Sequence, residues 1–205
     1  MTELRVHNFS ISLDGYGAGP SQDPGNPLGV GGELLHEWLF PPSGQRTEAD
    51  ERFMALGAEG VGATIMGRNM FGPVRGNWPD ESWTGWWGED PPFHHDVFVL
   101  THHPRPPVQM AGGTVFHFVT DGIEAALDHA RAAAGGRHVR LGGGASTVQQ
   151  YLRAGLVDEL HVVVVPVLLG SGERLFEDLG VALDGWGCVE FTPSATVSHV
   201  RLRRL

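Results

Sequence analysis

Three apolar runs in this chain end in residues suited to holding an anion. The first is "VRLGGGASTVQQYL", residues 139–152. A branched apolar run leads into Gly142-Gly143-Gly144, and a stretch with helical spacing follows. The first N–H groups of a helix lack partners and its dipole adds partial positive charge there, so a phosphate can settle at such a start. Glycine lets it approach the backbone closely. The dinucleotide fingerprint G-x-G-x-x-G would require glycine at Thr147, and no Gly-Lys-Ser/Thr of a P-loop occurs. Ser146 and Gln149 are also placed to cap the helix. A structural turn and a phosphate cradle both fit this stretch taken alone.

The second run is "TIMGRNMFG", residues 64–72. Arg68 follows a strand end and opens a short helical turn, where its planar fork matches phosphate oxygens. The third is "VFVLTHHPRPP", residues 97–107. Thr101, His102, His103 and Arg105 gather there at a strand terminus that the prolines turn into a loop. Several such strand ends in one chain favour an extended ligand with more than one phosphate. A surface arginine and a polar loop are the plain alternatives.

Trp78, Trp83, Trp86, Trp87 and Phe93 crowd an irregular region. They suit a wall for a flat ring, or a cover for a sheet edge or an interface. The pairs His94-His95 and His102-His103 lack the cysteines or helical H-x-x-x-H spacing of zinc sites, so no metal is expected.

Positioning these residues falls to alternating strands and helices. Residues 4–13 alternate apolar and polar but slip phase at Asn8, which reads as a first strand. A long Gly/Pro loop and the short apolar piece "ELLHEWLF" follow. A helix then begins at Thr47, with Phe53, Met54 and Leu56 on its apolar face. "VGATIMG", "DVFVLT", "GTVFHFV", "HVRLGG" and "DELHVVVVPVLLG" read as strands. Between them, "TDGIEAALDHARAAAGG" reads as a helix with capping-box spacing at Asp121 and Glu124 and a stop at Gly135. Two strand-like segments close the chain. The pattern predicts an α/β fold with a mostly parallel sheet finished by an antiparallel hairpin, in a single domain over residues 1–205.

The 205 residues, 41% hydrophobic, suffice for one substantial core. A net charge of −10, with basic residues clustered only at Arg201, Arg203 and Arg204, argues against nucleic acid as a partner. Cys188 is the lone cysteine, which excludes an intrachain disulfide. The polar N-terminus and the lack of a long apolar run point to a cytoplasmic protein with no membrane partner.

In this order, "SISLDGYGAGP", "TIMGRNMFG", "VFVLTHH" and "VRLGGGASTVQQYLRAGLVDELHVVVVPVLLGSGERLFEDL", with the terminal strand pair, resemble the dihydrofolate-reductase-like superfamily. They are most similar to stand-alone relatives of the reductase domain of the bifunctional riboflavin-biosynthesis deaminase-reductase. The resemblance implies a three-layer fold, a homodimer, and NADPH-dependent transfer of a hydride to a pterin-, pyrimidine- or imine-like substrate. Dihydrofolate and 5-amino-6-(5-phosphoribosylamino)uracil are the substrates it brings forward. A nucleotide-binding module without reductase activity is the alternative.

The resemblance further implies that Gly67, Arg68 and Asn69 contact cofactor phosphates. Thr101, His102 and His103 fall at the 2′-phosphate, where the family often carries a serine–arginine type pair. Gly142, Gly143, Gly144, Ala145, Ser146 and Thr147 match the pyrophosphate loop. Ser12 and Leu13 border the nicotinamide in a mobile loop, and Trp86 and Trp87 join them as substrate-pocket candidates. The proton would come from a carboxyl, with Asp50 on the helix before "MGR" and Asp14 after the first strand as candidates. Each also has a plain reading, as helix first-turn acid and as Asx-type turn. H-x-E and P-C-x-x-C do not occur, so no deaminase unit is expected within these residues.

Overall fold

A computed structural model describes residues 2–72, 75–180 and 185–205. The elements in chain order are β1 (Leu4–Ser12), β2 (Tyr16–Ala18), a 3-10 turn (Gly32–His36), α1 (Glu48–Ala58), β3 (Val61–Gly67), α2 (Arg68–Phe71), β4 (Asp96–Leu100) and β5 (Val108–Gln109). After a 3-10 turn at Ala111–Gly113 come β6 (Val115–Val119), α3 (Ile123–Ala134), β7 (His138–Gly143), α4 (Ala145–Arg153), β8 (Glu159–Val165), β9 (Glu173–Arg174), β10 (Trp186–Pro193) and β11 (Ser198–Arg204).

One nine-stranded sheet runs in the order β10-β11-β8-β1-β7-β3-β4-β6-β5. Strands β8, β1, β7, β3, β4 and β6 are mutually parallel. The C-terminal pair β10–β11 adds to β8 antiparallel. This is the mixed α/β sheet that the strand–helix alternation predicts. The branched run His161–Val165 of β8 suits a strand covered on both faces. The phase slip in β1 is a bulge between Val6 and Phe9, with Asn8 at φ 58°.

Two layers sandwich the sheet. On one face, α3 and α4 bring Ala126, Leu127, Val148 and Tyr151 onto Leu4, Ile65, Leu141 and Leu160. Each fully buried aliphatic side chain of this kind contributes about 1.5–3 kcal/mol. On the other face, the first 3-10 turn and its flank place Leu35 and Trp38 over Val163 and Val165. Farther along that face, Phe71 and tryptophans from residues 78–87 cover Met66, Val97, Val99 and Phe116.

Helix α1 starts as expected, with a reciprocal capping box between Thr47 and Asp50. Helix α3 does not. Gly122, at φ 94°, is its N-cap and no side chain caps it. The glycine turn leaves Asp121 outside the helix, so the predicted Asp121–Glu124 box does not form. Gly135 ends this helix in the left-handed conformation, as its sequence predicts.

Candidate active site

The parallel strands deliver β1, β3, β4 and β7 to one edge, where a cavity of about 1070 Å³ opens. Ligands of open parallel sheets bind at this carboxyl edge. Gly67–Asn69 from β3 and α2, Thr101–His103 after β4, and Gly142–Thr147 between β7 and α4 all line it.

The glycine stretch has a built geometry. Gly143 takes φ 133°, a value side chains disfavour, and the Gly143–Gly144 peptide is cis. Gly144 is the N-cap of α4, and no side chain caps that helix. Ser146 is exposed, while Gln149 Nε2 donates to the Arg174 carbonyl at 2.8 Å. The capping alternative therefore does not describe this helix start. Thr147 is buried, and its hydroxyl lies so close to Gly67 that a Cβ there would collide with it. The end of β3 thus packs its backbone against the first turn of α4.

Arg68 is held but not satisfied. One Nη1–H donates to Thr101 Oγ1 and to the Gly76 carbonyl, each at 3.3 Å. The guanidinium lies 3.1 Å from the Trp78 ring centroid. Its Nε and Nη2 are buried without a partner. Burial first, then the neighbouring charges of Arg105 and Arg75, lowers its pKa. Buried cationic donors without acceptors are costly, and an anion in the cavity would satisfy them. His103 N–H donates to Thr101 Oγ1 at 3.1 Å, which fixes the turn that carries His102 and His103 to the cavity wall.

Arg105 behaves oppositely, which corrects the expectation that it receives phosphate. It donates to the carbonyls of Trp83 (2.7 Å) and Glu81 (2.6 Å), and it does not line the cavity. Its role is to pin the tryptophan loop. That loop does two jobs. Trp78, Trp83 and Trp87 pack on the sheet, and Trp86 and Trp87 reach the cavity.

The remaining predicted residues go elsewhere. Leu13 is 65% exposed and Ser12 is fully buried; neither lines the cavity. A tight turn closed by Gly15 N–H to the Ser12 carbonyl at 2.9 Å directs them away. Asp14 accepts from Ser12 Oγ (2.6 Å) and from the backbone of Leu169 and Gly170. The Ser12 hydrogen bond foremost brings its pKa to about 2, so it stays ionised and ties two loops together. A proton donor needs the opposite shift.

Asp50 is 2% exposed and belongs to a buried polar chain behind the cavity. The Asn8 backbone N–H donates to His161 Nδ1 at 3.1 Å. That fixes the neutral tautomer: His161 Nε2–H donates to His199 Nδ1 (3.2 Å), and His199 Nε2–H to Asp50 Oδ1 (2.9 Å). Burial alone would raise the Asp50 pKa, but hydrogen bonds from Thr47, His199 and Ser194 lower it overall. Burial foremost, with surrounding positive groups, brings His161 to about 2. Phe53 stacks on both imidazoles, and Trp38 stands between His199 and Ser10 of the cavity wall.

His94 and His95 are engaged outside the cavity. His95 bonds Thr64 Oγ1 at 2.8 Å, and His94 Nδ1 meets the Gly112 carbonyl at 2.9 Å.

The sequence reading passed over the far end of the cavity. Asn8 and Ser10 of β1 and Glu33, His36, Glu37 and Phe40 line it. The phase slip at Asn8 was the available signal.

The sheet order, the carboxyl-edge cavity and its glycine loop define a dihydrofolate-reductase-like fold. The chain is similar over its whole length to a protein assigned to riboflavin biosynthesis from Shewanella sp. PV-4, at 22% identity and TM-score 0.63, covering 99% of that chain. It is also similar to RibD of Acinetobacter baumannii (15% identity, TM-score 0.57, all of this chain and 58% of that one). Enterococcus faecalis dihydrofolate reductase, complexed with NADP(H) and RAB-propyl, matches at 15% identity and TM-score 0.53, over 98% of this chain and 96% of that one. At these identities the solved structures establish the fold. Among curated sequences, the uncharacterized protein YyaP of Bacillus subtilis is 30% identical over 95 residues, 44% of this chain and 50% of the relative. The chain thus matches about half the length of that relative. The particular family follows from the sequence match: residues 6–197 match the RibD C-terminal domain, and the chain belongs to that family.

Proposed function

We propose that the protein is an NADPH-dependent reductase that transfers a hydride to a small heterocyclic substrate of pterin, pyrimidine or imine type. The observation that carries this reading is Arg68, whose Nε and Nη2 are buried and unpartnered at a glycine-lined cavity. NADPH would supply the hydride. Gly142–Thr147 would hold the pyrophosphate with backbone N–H groups at the uncapped start of α4. Arg68 would neutralise phosphate charge, and Thr101, His102 and His103 would meet the 2′-phosphate. Trp86 and Trp87 would form an apolar wall that excludes water beside the substrate ring.

The proton is assigned to neither Asp14 nor Asp50, since both are held ionised and away from the cavity. Glu33, His36, Glu37 and Glu173 are further titratable groups in the described cavity lining. Membership in the RibD C-terminal domain family supports a reductase over a mere binding module. No helix among the described residues is long and apolar enough to cross a membrane. A cytoplasmic homodimer completes the proposal. Edge strand β10, with Val189 50% and Phe191 65% exposed, is the surface that suits pairing.

The test is NADPH oxidation by the full chain offered pterin, pyrimidine and cyclic imine substrates. Substrate-dependent loss of NADPH absorbance is expected. Tight NADPH binding without turnover of any class would favour the nucleotide-binding module.

A further inference from the structure

We propose that His36 donates the proton that accompanies hydride transfer in this cavity. This rests on the reductase reading and deepens it, since that reading leaves the proton without a donor.

Reduction of a C=N bond needs a proton at nitrogen. Its donor must titrate, reach the cavity and be free of a competing partner. Asp14 and Asp50 fail on the last two counts, since their oxygens accept from Gly170 and His199 and neither residue lines the cavity. Among the described lining residues, Glu33, Glu37, Glu173 and His102 are exposed, so water competes for their protons. His103 belongs to the Thr101 turn proposed for the 2′-phosphate. Arg68 and Arg75 keep their protons throughout the working range. His36 is half-buried and lines the cavity, and its imidazole has no hydrogen-bond partner among the described residues.

The turn that carries His36 is fixed on both sides of it. Leu35 is fully buried and Trp38 is nearly so. Trp38 Nε1–H donates to Ser10 Oγ of the cavity wall at 2.9 Å. Asn8 shares this wall, and its buried Oδ1 has no partner, so it can accept an N–H of a substrate ring. Phe40 and Trp86 offer flat apolar surface for the ring itself.

Burial lowers the His36 pKa, and no charged neighbour contributes to the shift. The imidazolium is therefore a stronger acid than an exposed one and gives up its proton more readily. The titratable groups around it are Glu33 and Glu37 on its own turn, Tyr16 of β2 with Arg174 over its ring, Glu173 of β9, and Asp50 and His199 beyond Trp38. None forms an ion pair with His36 among the described residues.

NADPH supplies the hydride when bound. Arrival of the hydride at the carbon of a C=N bond sends the π pair to nitrogen. The imidazolium N–H proton of His36 then moves to that nitrogen. The reduced ring, NADP⁺ and neutral imidazole remain, and a proton from water restores the imidazolium.

The experiment follows NADPH oxidation by the full chain from about pH 6 to 8.5, a range reaching above the ordinary histidine value. The substrates are 7,8-dihydropterin and 5-amino-6-(5-phosphoribosylamino)uracil. Wild-type kcat/KM should fall about tenfold per pH unit above about pH 6.5, as the imidazolium is lost. His36→Gln should lower it about 100-fold at the acid end and flatten the profile, with NADPH affinity within twofold. His36→Ala should regain rate with added imidazole, in proportion to the protonated fraction. Histidine-selective NMR supplies a readout without turnover. The signal lost in His36→Gln should titrate below about pH 6.5 in the wild type and move when pterin joins the NADP⁺ complex. A His36→Gln profile as steep as the wild type, a loss of less than threefold, or a signal indifferent to pterin overturns the inference. Reduction of neither substrate by the wild type counts against the reductase reading instead, and the NMR signal tells the two failures apart.

Discussion

The molecule holds two concentrations of polar side chains around one sheet, and they differ in whether the charged group at their centre finds partners. In the cleft, Arg68 keeps buried donors without acceptors, and the α4 start has no side-chain cap. Behind the cleft, the chain Asn8–His161–His199–Asp50 passes each donor to an acceptor and ends in the Thr47 capping box. Buried polar groups that satisfy one another fix a fold, whereas those left open await a ligand. Arg68 and Arg105, on separate segments, differ in their terminal nitrogens around one tryptophan. Both stack on Trp78, but only Arg105 finds close carbonyl acceptors for both terminal nitrogens.

Breaking the satisfied region should cost stability without touching the cofactor. Asp50→Ala removes a cap and leaves His199 Nε2–H buried without an acceptor. Unfolding free energy should fall by about 2–4 kcal/mol, read by denaturant titration, while NADPH affinity stays within twofold. A large loss of NADPH binding in a variant that remains folded would place Asp50 in the site after all.

The open region should respond in reverse. Arg68→Ala should weaken NADPH about 10–100-fold, the range for hydrogen bonds to charged groups, with the melting temperature little changed. A variant that binds NADPH normally would show that Arg68 is only a surface arginine beside a turn.

Acid should attack the satisfied region first. His161 has a folded pKa of about 2, and burial lowers His199 as well. The unfolded chain protonates such histidines below about 6.5 while the folded chain does not, so their contribution is complete above that pH and is lost as pH falls. The slope should be about 1.4 kcal/mol per pH unit for each histidine kept neutral. Glu159 adds to this below its ordinary range. Burial opposes ionisation, but the His7 hydrogen bond and Arg201 outweigh it and bring its pKa to about 2. Thermal melts from pH 7 to pH 5 test this, and His161→Gln should flatten the slope.

The smallest effect concerns His102 and His103. His102→Ala with His103→Ala should weaken NADPH a few-fold while leaving NADH unchanged. An equal effect on both nucleotides would remove these residues from the 2′-phosphate role.

What the sequence disclosed depended on the range of the interactions involved. The bulge at Asn8, the Thr47 cap and the strand-end glycines are local, and their residues announce them. The fate of Asp50 is not local, because its partner His199 lies in β11 at the other end of the chain. A first-turn carboxylate therefore looks the same whether it faces a substrate or a buried imidazole. Arg105 misled for a similar reason, since its acceptors are carbonyls of a loop without regular pattern. Ser12 and Leu13 lie beside the cavity in sequence, but the Gly15 turn carries them off it. Glu33, His36 and Glu37 sit in a five-residue 3-10 turn and its cap, too short to declare a face by periodicity.

The central claim is that the three strand ends grip one long anion. Titration of the full chain with NADPH and with reduced nicotinamide mononucleotide, which lacks the adenosine diphosphate portion, tests it most directly. Micromolar or tighter binding of NADPH is expected, with at least a hundredfold weaker binding of the mononucleotide and loss of that difference in Arg68→Ala. Equal affinity for the two, or no binding of NADPH at millimolar concentration, would contradict it.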